Sequence, residues 1–139
     1  MSLLLDTNVV SELRKGERAN RGLLDWFNDV ADEEIHLSVL VIGELRRGVE
    51  SIRKRDETQA ASLERWLARL VAAHAERIVP VDGRVADQWG RLAAIRTGSV
   101  IDTMMAATAL VYGFVLVTRN VTDVAWTGAS YLDPFAPRH

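Results

Sequence analysis

Near the start of the chain stands Leu3-Leu4-Leu5-Asp6-Thr7-Asn8. A continuous apolar run of this kind fits a strand covered on both faces of a parallel sheet; a strand with one wet face would alternate. The strand has to end where the polar residues begin. Asp6 then sits at the carboxyl edge of a central strand, the edge at which open α/β sheets bind their ligands. Thr7 and Asn8 are good helix caps, so Asp6 also falls near the positive end of the next helix dipole. Structural caps and ligand sites share this edge, and Asp6 by itself does not separate the two readings.

The rest of the chain repeats the alternation of strand and helix. Val9, Val10 and Leu13 give a short helix that stops near Gly16, and apolar residues at helical spacing mark a second helix over Asn20–Ala31. Ile35–Leu37 reads as a second strand, after which Ser38 caps a helix running to about Ser51. Arg53-Lys54-Arg55-Asp56 reads as a charged loop, and Leu63, Trp66, Leu67, Leu70 and Val71 mark a long fourth helix. Ile78–Val81 is a strand that Pro80 confines to a sheet edge or strand end. Asp82 caps a fifth helix ended by Gly98, Asp102 caps a sixth that stops at Gly113, Phe114–Thr118 is another buried strand, and a last strand lies at Ser130–Leu132 before a tail containing proline. Strict alternation implies a three-layer α/β/α sandwich with a central, mostly parallel sheet. At 139 residues, 48% of them hydrophobic, the chain makes a single domain over 1–139 with a full core.

Several function classes drop out. There is no cysteine, hence no disulfide framework and no thiolate zinc site. No stretch reads as a signal peptide and no apolar run spans a bilayer, so a soluble cytoplasmic protein without membrane contact is expected. A net charge of −2 gives no global pull toward nucleic acid, so any such contact must come from local patches or a metal.

Acids stand at telling places. Asp6 ends the first strand. Glu44 borders the apolar face formed by Val41, Leu45, Val49 and Ile52, with Gly48 leaving room one turn on. An acid there is costly unless paired, and a structural salt bridge is the alternative reading. Asp102 opens a helix whose facing positions are mostly small, and Asp123 follows the strand in Thr118-Arg119-Asn120-Val121-Thr122-Asp123, where a plain surface turn is the alternative. In a parallel sheet Asp6 and the 118–123 turn share one edge. Clustered carboxylates repel, and a divalent cation is the common remedy. Oxygen ligands without Cys or His suit Mg²⁺ or Mn²⁺. His36 in a strand, His74 on a helix and His139 at the end have no paired spacing and read as structural or solvated. With no base histidine and no nucleophile motif, the natural chemistry is metal-assisted hydrolysis of a phosphodiester.

Leu4-Leu5-Asp6-Thr7-Asn8-Val9-Val10-Ser11-Glu12 resembles the opening motif of PIN-domain nucleases. Ser38–Gly48 around Glu44 resembles their second motif, Asp102 with Met105-Ala106-Ala107-Thr108-Ala109 their third, and Leu116-Val117-Thr118-Arg119-Asn120 their fourth. The four motifs run in order along the whole chain, and the kinship is with the VapC toxins of bacterial toxin–antitoxin pairs, the FitB-like branch included. This resemblance implies a Mg²⁺-dependent ribonuclease with Asp6, Glu44 and Asp102 as its acidic core. It implies an RNA substrate of the transfer or ribosomal kind, a homodimer, and a VapB-type antitoxin as partner. Many members carry aspartate where Asn120 stands; Asn120 offers a carbonyl oxygen or a hold on water, and Asp123 is close by to complete the site. Thr7 and Thr118 resemble the family's site-lining hydroxyls and would orient carboxylates from behind, unless they serve only in capping and turn hydrogen bonds.

Two other functions fit less of the sequence. A phosphatase with Asp6 as nucleophile would want a second aspartate where Asn8 stands, and its lysine has only Lys15 and Lys54 to come from. A non-catalytic RNA- or partner-binding module is kept open by Asn120, with Arg46, Arg47, Arg53, Lys54 and Arg55 as phosphate contacts or simply a solvated face.

Overall fold

The computed structural model describes residues 1–135. The leucine run forms β1 (Leu3–Leu5), each residue at most 3% exposed. It pairs in parallel with β2 (Ile35–Ser38) on one side and β4 (Val115–Val117) on the other, Leu4 lying opposite His36 and Leu116. β3 (Ile78–Val79) adds outside β2 and β5 (Tyr131–Leu132) outside β4, so the five-stranded, all-parallel sheet has the order β3-β2-β1-β4-β5. β3 is the edge strand that Pro80 predicts.

The strand order assigns the helices to their layers. From β1 the chain steps outward to β2 and β3, and right-handed crossovers keep α1 (Thr7–Leu13), α2 (Arg21–Asn28), α3 (Val39–Arg53) and α4 (Glu57–Ala73) on one face. It then returns past β1 to β4 and on to β5. The reversed direction puts α5 (Gly83–Ile95), α6 (Val100–Tyr112) and α7 (Val121–Val124) on the other face. Accordingly α3 packs on α4, α5 on α6, and α6 on α7. The main core runs from the β1 leucines to Met105, Ala106 and Ala109 of α6.

Local signals differ from expectation at four places. α1 begins directly at Thr7, and its cap is Asp6 itself rather than Thr7 or Asn8: Thr7 N–H donates to Asp6 Oδ1 at 2.8 Å. α5 ends at Ile95, short of Gly98, and α6 is capped by Ser99, so Asp102 lies inside the first turn, where its charge complements the helix dipole. The second helix spans Arg21–Asn28 with Asn20 as its cap. Val121–Val124 is a short helix in place of a plain turn. His139 and the end of the tail lie outside the described residues.

α6 ends as its glycine predicts. Gly113 adopts φ +72°, a left-handed conformation that a side chain disfavours, and its N–H returns to Ala109 O. Gly113→Ala should therefore cost about 1–2 kcal/mol, seen as a lower urea midpoint at unchanged slope; an unaltered midpoint would show that the turn relaxes without penalty.

Candidate active site

The register of β1 with β4 places Leu5 beside Val117, and Asp6 N–H donates to Val117 O at 2.9 Å. These adjacent strands are also where the chain's direction across the sheet reverses, the position at which α/β sheets form their ligand crevice. Asp6 is only 5% exposed. Its Oδ1 accepts from Thr7 N–H, and its Oδ2 accepts from the Thr118 hydroxyl at 2.7 Å and from Asn8 Nδ2 at 3.3 Å. Burial pushes the Asp6 carboxyl above its ordinary value and the Glu44 charge adds to this, while the Thr118, Thr7 and Asn8 donors oppose it.

Glu44 comes from the second turn of α3, at the border of the face that buries Val41 and Val49. Its main partner is the Thr7 hydroxyl, which donates to Oε1 at 2.5 Å. Thr7 therefore contacts both acids, one through its backbone and one through its side chain. The structural salt bridge amounts to Arg47 at 3.8 Å, on a guanidinium 78% exposed. Asp102 is half-buried in the first turn of α6. Its carboxyl is raised first by burial, then by the charges of Asp6 and Asp123, and by that of Glu44. The four acids picked out from sequence thus lie in one electrostatic field. Asp123 is exposed, and so is Asn120, whose backbone N–H donates to Thr118 Oγ1 at 3.0 Å while its side chain makes no hydrogen bond among the described residues.

Sequence reasoning missed the role of Asn8. Its amide nitrogen lies 3.3 Å from Asp6 Oδ2 and 3.5 Å from Thr118 Oγ1, and its Oδ1 accepts Arg119 N–H at 3.3 Å. It clamps the start of α1 to the turn after β4. Thr118 does the same from the other side, so its hydroxyl is no mere turn hydrogen bond. Two of the basic residues are also corrected. Arg53 belongs to α3 and is held by Glu50, Glu57 and Glu64, and Arg46 by Glu50 and Glu64, so these cations stitch α3 to α4 and are spent within the protein. His36 stacks on Phe114, and His74 Nδ1 lies 2.9 Å from Leu70 O, both structural positions as expected.

The donor chemistry suits a hard divalent cation: oxygen atoms only, with Asp6 and Asp102 raised first by burial and further by neighbouring negative charge. Among the described residues no three acidic or histidine side chains stand grouped as a ready cation cage. That is compatible with Mg²⁺, which keeps several waters and takes one or two carboxylates at a time.

The PIN domain family matches residues 3–122. The chain is 31% identical to a VapC ribonuclease of Sinorhizobium fredii over 97% of its own length and 99% of that protein's. The chain belongs to the VapC family of PIN domains. It is also 28% identical to toxin FitB of Neisseria gonorrhoeae, over 96% and 98% of the two chains. The crystal structure of FitAcB from the same organism superposes with a TM-score of 0.85 at 26% identity, covering 96% of this chain and 98% of that one. Within this VapC-family fold the phosphatase reading has no place, and the amide of Asn8 is committed to positioning Asp6.

Asp102 offers a direct measurement of the acidic field. Its folded carboxyl is raised above the usual 3.8, so the folded state binds the proton more readily than the unfolded chain. The stability this confers is complete below the unfolded value and is lost as pH rises through the folded one. Asp102→Asn, which leaves the Ser99 cap in place, should thus stabilise the divalent-free protein at neutral pH by roughly 0.5–1 kcal/mol, given solvent screening at a half-buried position. The gain should fade toward about pH 3, where the wild-type carboxyl is protonated anyway. Melting curves in EDTA across this range check it, and a gain independent of pH would show that charge is not its cause.

Proposed function

We propose that this VapC-family protein is an endoribonuclease, the toxin half of a toxin–antitoxin pair, and that it hydrolyses RNA phosphodiesters with Mg²⁺ or Mn²⁺ held by Asp6, Glu44 and Asp102. The observation that carries the reading is the meeting of Asp6 and Glu44 at the sheet's switch point, where Thr7 contacts both, with Asp102 raised first by burial and then by the Asp6 charge. Its similarity to a protein named VapC ribonuclease supports the activity. When bound, the cation supplies charge neutralisation and Lewis acidity at the phosphate.

The chain's own residues do the positioning. Asp6 is locked by donors on both oxygens, so it presents one fixed carboxylate edge. Thr7 aligns Glu44 with it. Thr118 holds Asp6 and, through the Asn120 N–H, fixes the turn that carries Asn120 and Asp123 to the rim. Asn120 contributes a neutral oxygen and Asp123 an exposed charge, so both rank below Asp6, Glu44 and Asp102.

Two partners belong to the same reading. A VapB-type antitoxin would cover the groove and set a basic side chain among the carboxylates in place of the cation's charge. A second copy of the chain would cover Ile95 and Val100, apolar residues 74% and 54% exposed at the α5–α6 connection. Among the described residues no helix is long and apolar enough to cross a membrane, and the proposed place of action is the cytoplasm, where transfer or ribosomal RNA would be the target.

The test is cleavage of RNA by purified protein with Mg²⁺ and with EDTA. Asp6→Asn and Asp102→Asn should each abolish the Mg²⁺-dependent product, and Asn120→Ala should lower it less. Mg²⁺ should raise the melting temperature of the wild type and raise that of Asp102→Asn less. Undiminished cleavage by either acid variant would overturn the assignment, and RNA binding with no cleavage would favour the non-catalytic module. For the partner, equal nuclease activity of the free toxin and of its antitoxin complex would refute the covered groove.

A further inference from the structure

Between α1, α3 and α4 the surface opens into a cleft of about 190 Å³, and Thr7 and Glu44 form one wall of it. The cleft is therefore continuous with the carboxylate site. Its floor is aliphatic, from α3 and α4. Trp66, half-buried, also lines the cleft, with the guanidinium carbon of Arg14 over its ring at 5.9 Å from the centroid. Among the described residues Arg14 has no carboxylate partner, whereas Arg46 and Arg53 on the neighbouring helix are neutralised. The hydroxyl of Ser11, exposed at the cleft, makes no hydrogen bond within the described protein.

An aromatic ring with a planar cation over it, aliphatic side chains from α3 and α4, and the free hydroxyl of Ser11 match the chemistry with which proteins hold an unstacked base. We infer that this cleft receives the base of a nucleotide adjoining the phosphodiester to be cut, with the base packed against the Arg14–Trp66 pair and the Arg14 charge toward the neighbouring phosphate. The inference rests on the ribonuclease reading and adds to it a base-binding subsite and the residues that set it. The charge arrangement favours this occupant. The Glu44 carboxylate in the cleft lining would repel a backbone phosphate in the absence of a cation, while Arg14 attracts one.

Gly48 provides a clean probe. It lines the cleft, and a Cβ at this position meets no heavy atom within 4 Å. Gly48→Leu adds bulk to the cleft on a helix that tolerates it, and Arg14→Gln removes the exposed cation. Both are made in an Asp102→Asn background with Mg²⁺ present, so that binding is read without turnover. Fluorescence anisotropy compares a labelled single-stranded RNA of mixed sequence with a base-free ribose-phosphate oligomer of equal length. The background protein should bind the base-bearing RNA roughly ten- to a hundredfold more tightly. Gly48→Leu should bring this ratio close to one, and Arg14→Gln should lower the affinity for both oligomers, with melting temperatures confirming folded proteins.

A ratio near one in the background protein, or a ratio that survives Gly48→Leu, overturns the subsite. So does a Gly48→Leu protein that loses only its antitoxin, which would assign the cleft to a protein partner. These outcomes are separate from the fate of the ribonuclease reading. Wild type that cuts RNA while the ratio is unaffected keeps the activity and loses the subsite. Base-dependent binding by a wild type that never cuts keeps the subsite and loses the activity.

Discussion

The hydrogen bond from the Thr118 hydroxyl to the Asp6 carboxylate ties the sheet to the site. A carboxylate almost sealed from solvent is costly unless donors surround it. Asp6 finds them in the first N–H of α1, in Asn8, and in a residue more than a hundred positions away that only the β1–β4 register can deliver. Slipping that register by one residue would turn Thr118 to the other face of the sheet and leave Asp6 short of a partner. The same carboxylate caps α1. Strand pairing, helix start and site geometry are thus one constraint seen from three directions.

That constraint leaves the acids opposed to one another. The donors around Asp6 lower its carboxyl, yet burial and Glu44 outweigh them and the net displacement is upward. Asp102 is displaced the same way, with burial again the largest cause. A fold selected only for stability would not gather such groups at a crevice, and a perturbed cluster of this kind is what functional sites display. The cap on α6 belongs to the same arrangement. Because Ser99 holds the helix end, Asp102 is not needed as a cap and its charge is available to the cluster.

Much of this was legible in the residues because burial leaves a pattern. The unbroken leucine run fixed β1 as a central parallel strand and put Asp6 at its carboxyl edge, and the stripe of Val41, Leu45 and Val49 put Glu44 beside the buried face. What was not legible was pairing. Ser, Thr, Asn and Asp all serve as N-caps, so which of Asp6, Thr7 and Asn8 caps α1, or which of Ser99 and Asp102 caps α6, depends on where the helix starts to the residue. The clamp by Asn8 depends on a strand register that no local pattern encodes. The basic run misled because its partner Glu64 arrives from α4, beyond the reach of a single helical wheel.

The last point bears on how the protein meets a polyanion. Closed onto Glu50, Glu57 and Glu64, Arg46 and Arg53 of α3 stabilise a helix pair and offer little to phosphate. The crevice itself presents carboxylates, and the chain as a whole carries a net charge of −2. An RNA backbone approaching this edge is therefore repelled by the bare site. On the proposed reading a divalent cation would do more than promote hydrolysis: it would offset most of the local negative charge, so that binding of substrate and competence for chemistry depend on the same ion. An antitoxin side chain of positive charge would act through the same field, occupying the cation's electrostatic role while contributing none of its Lewis acidity.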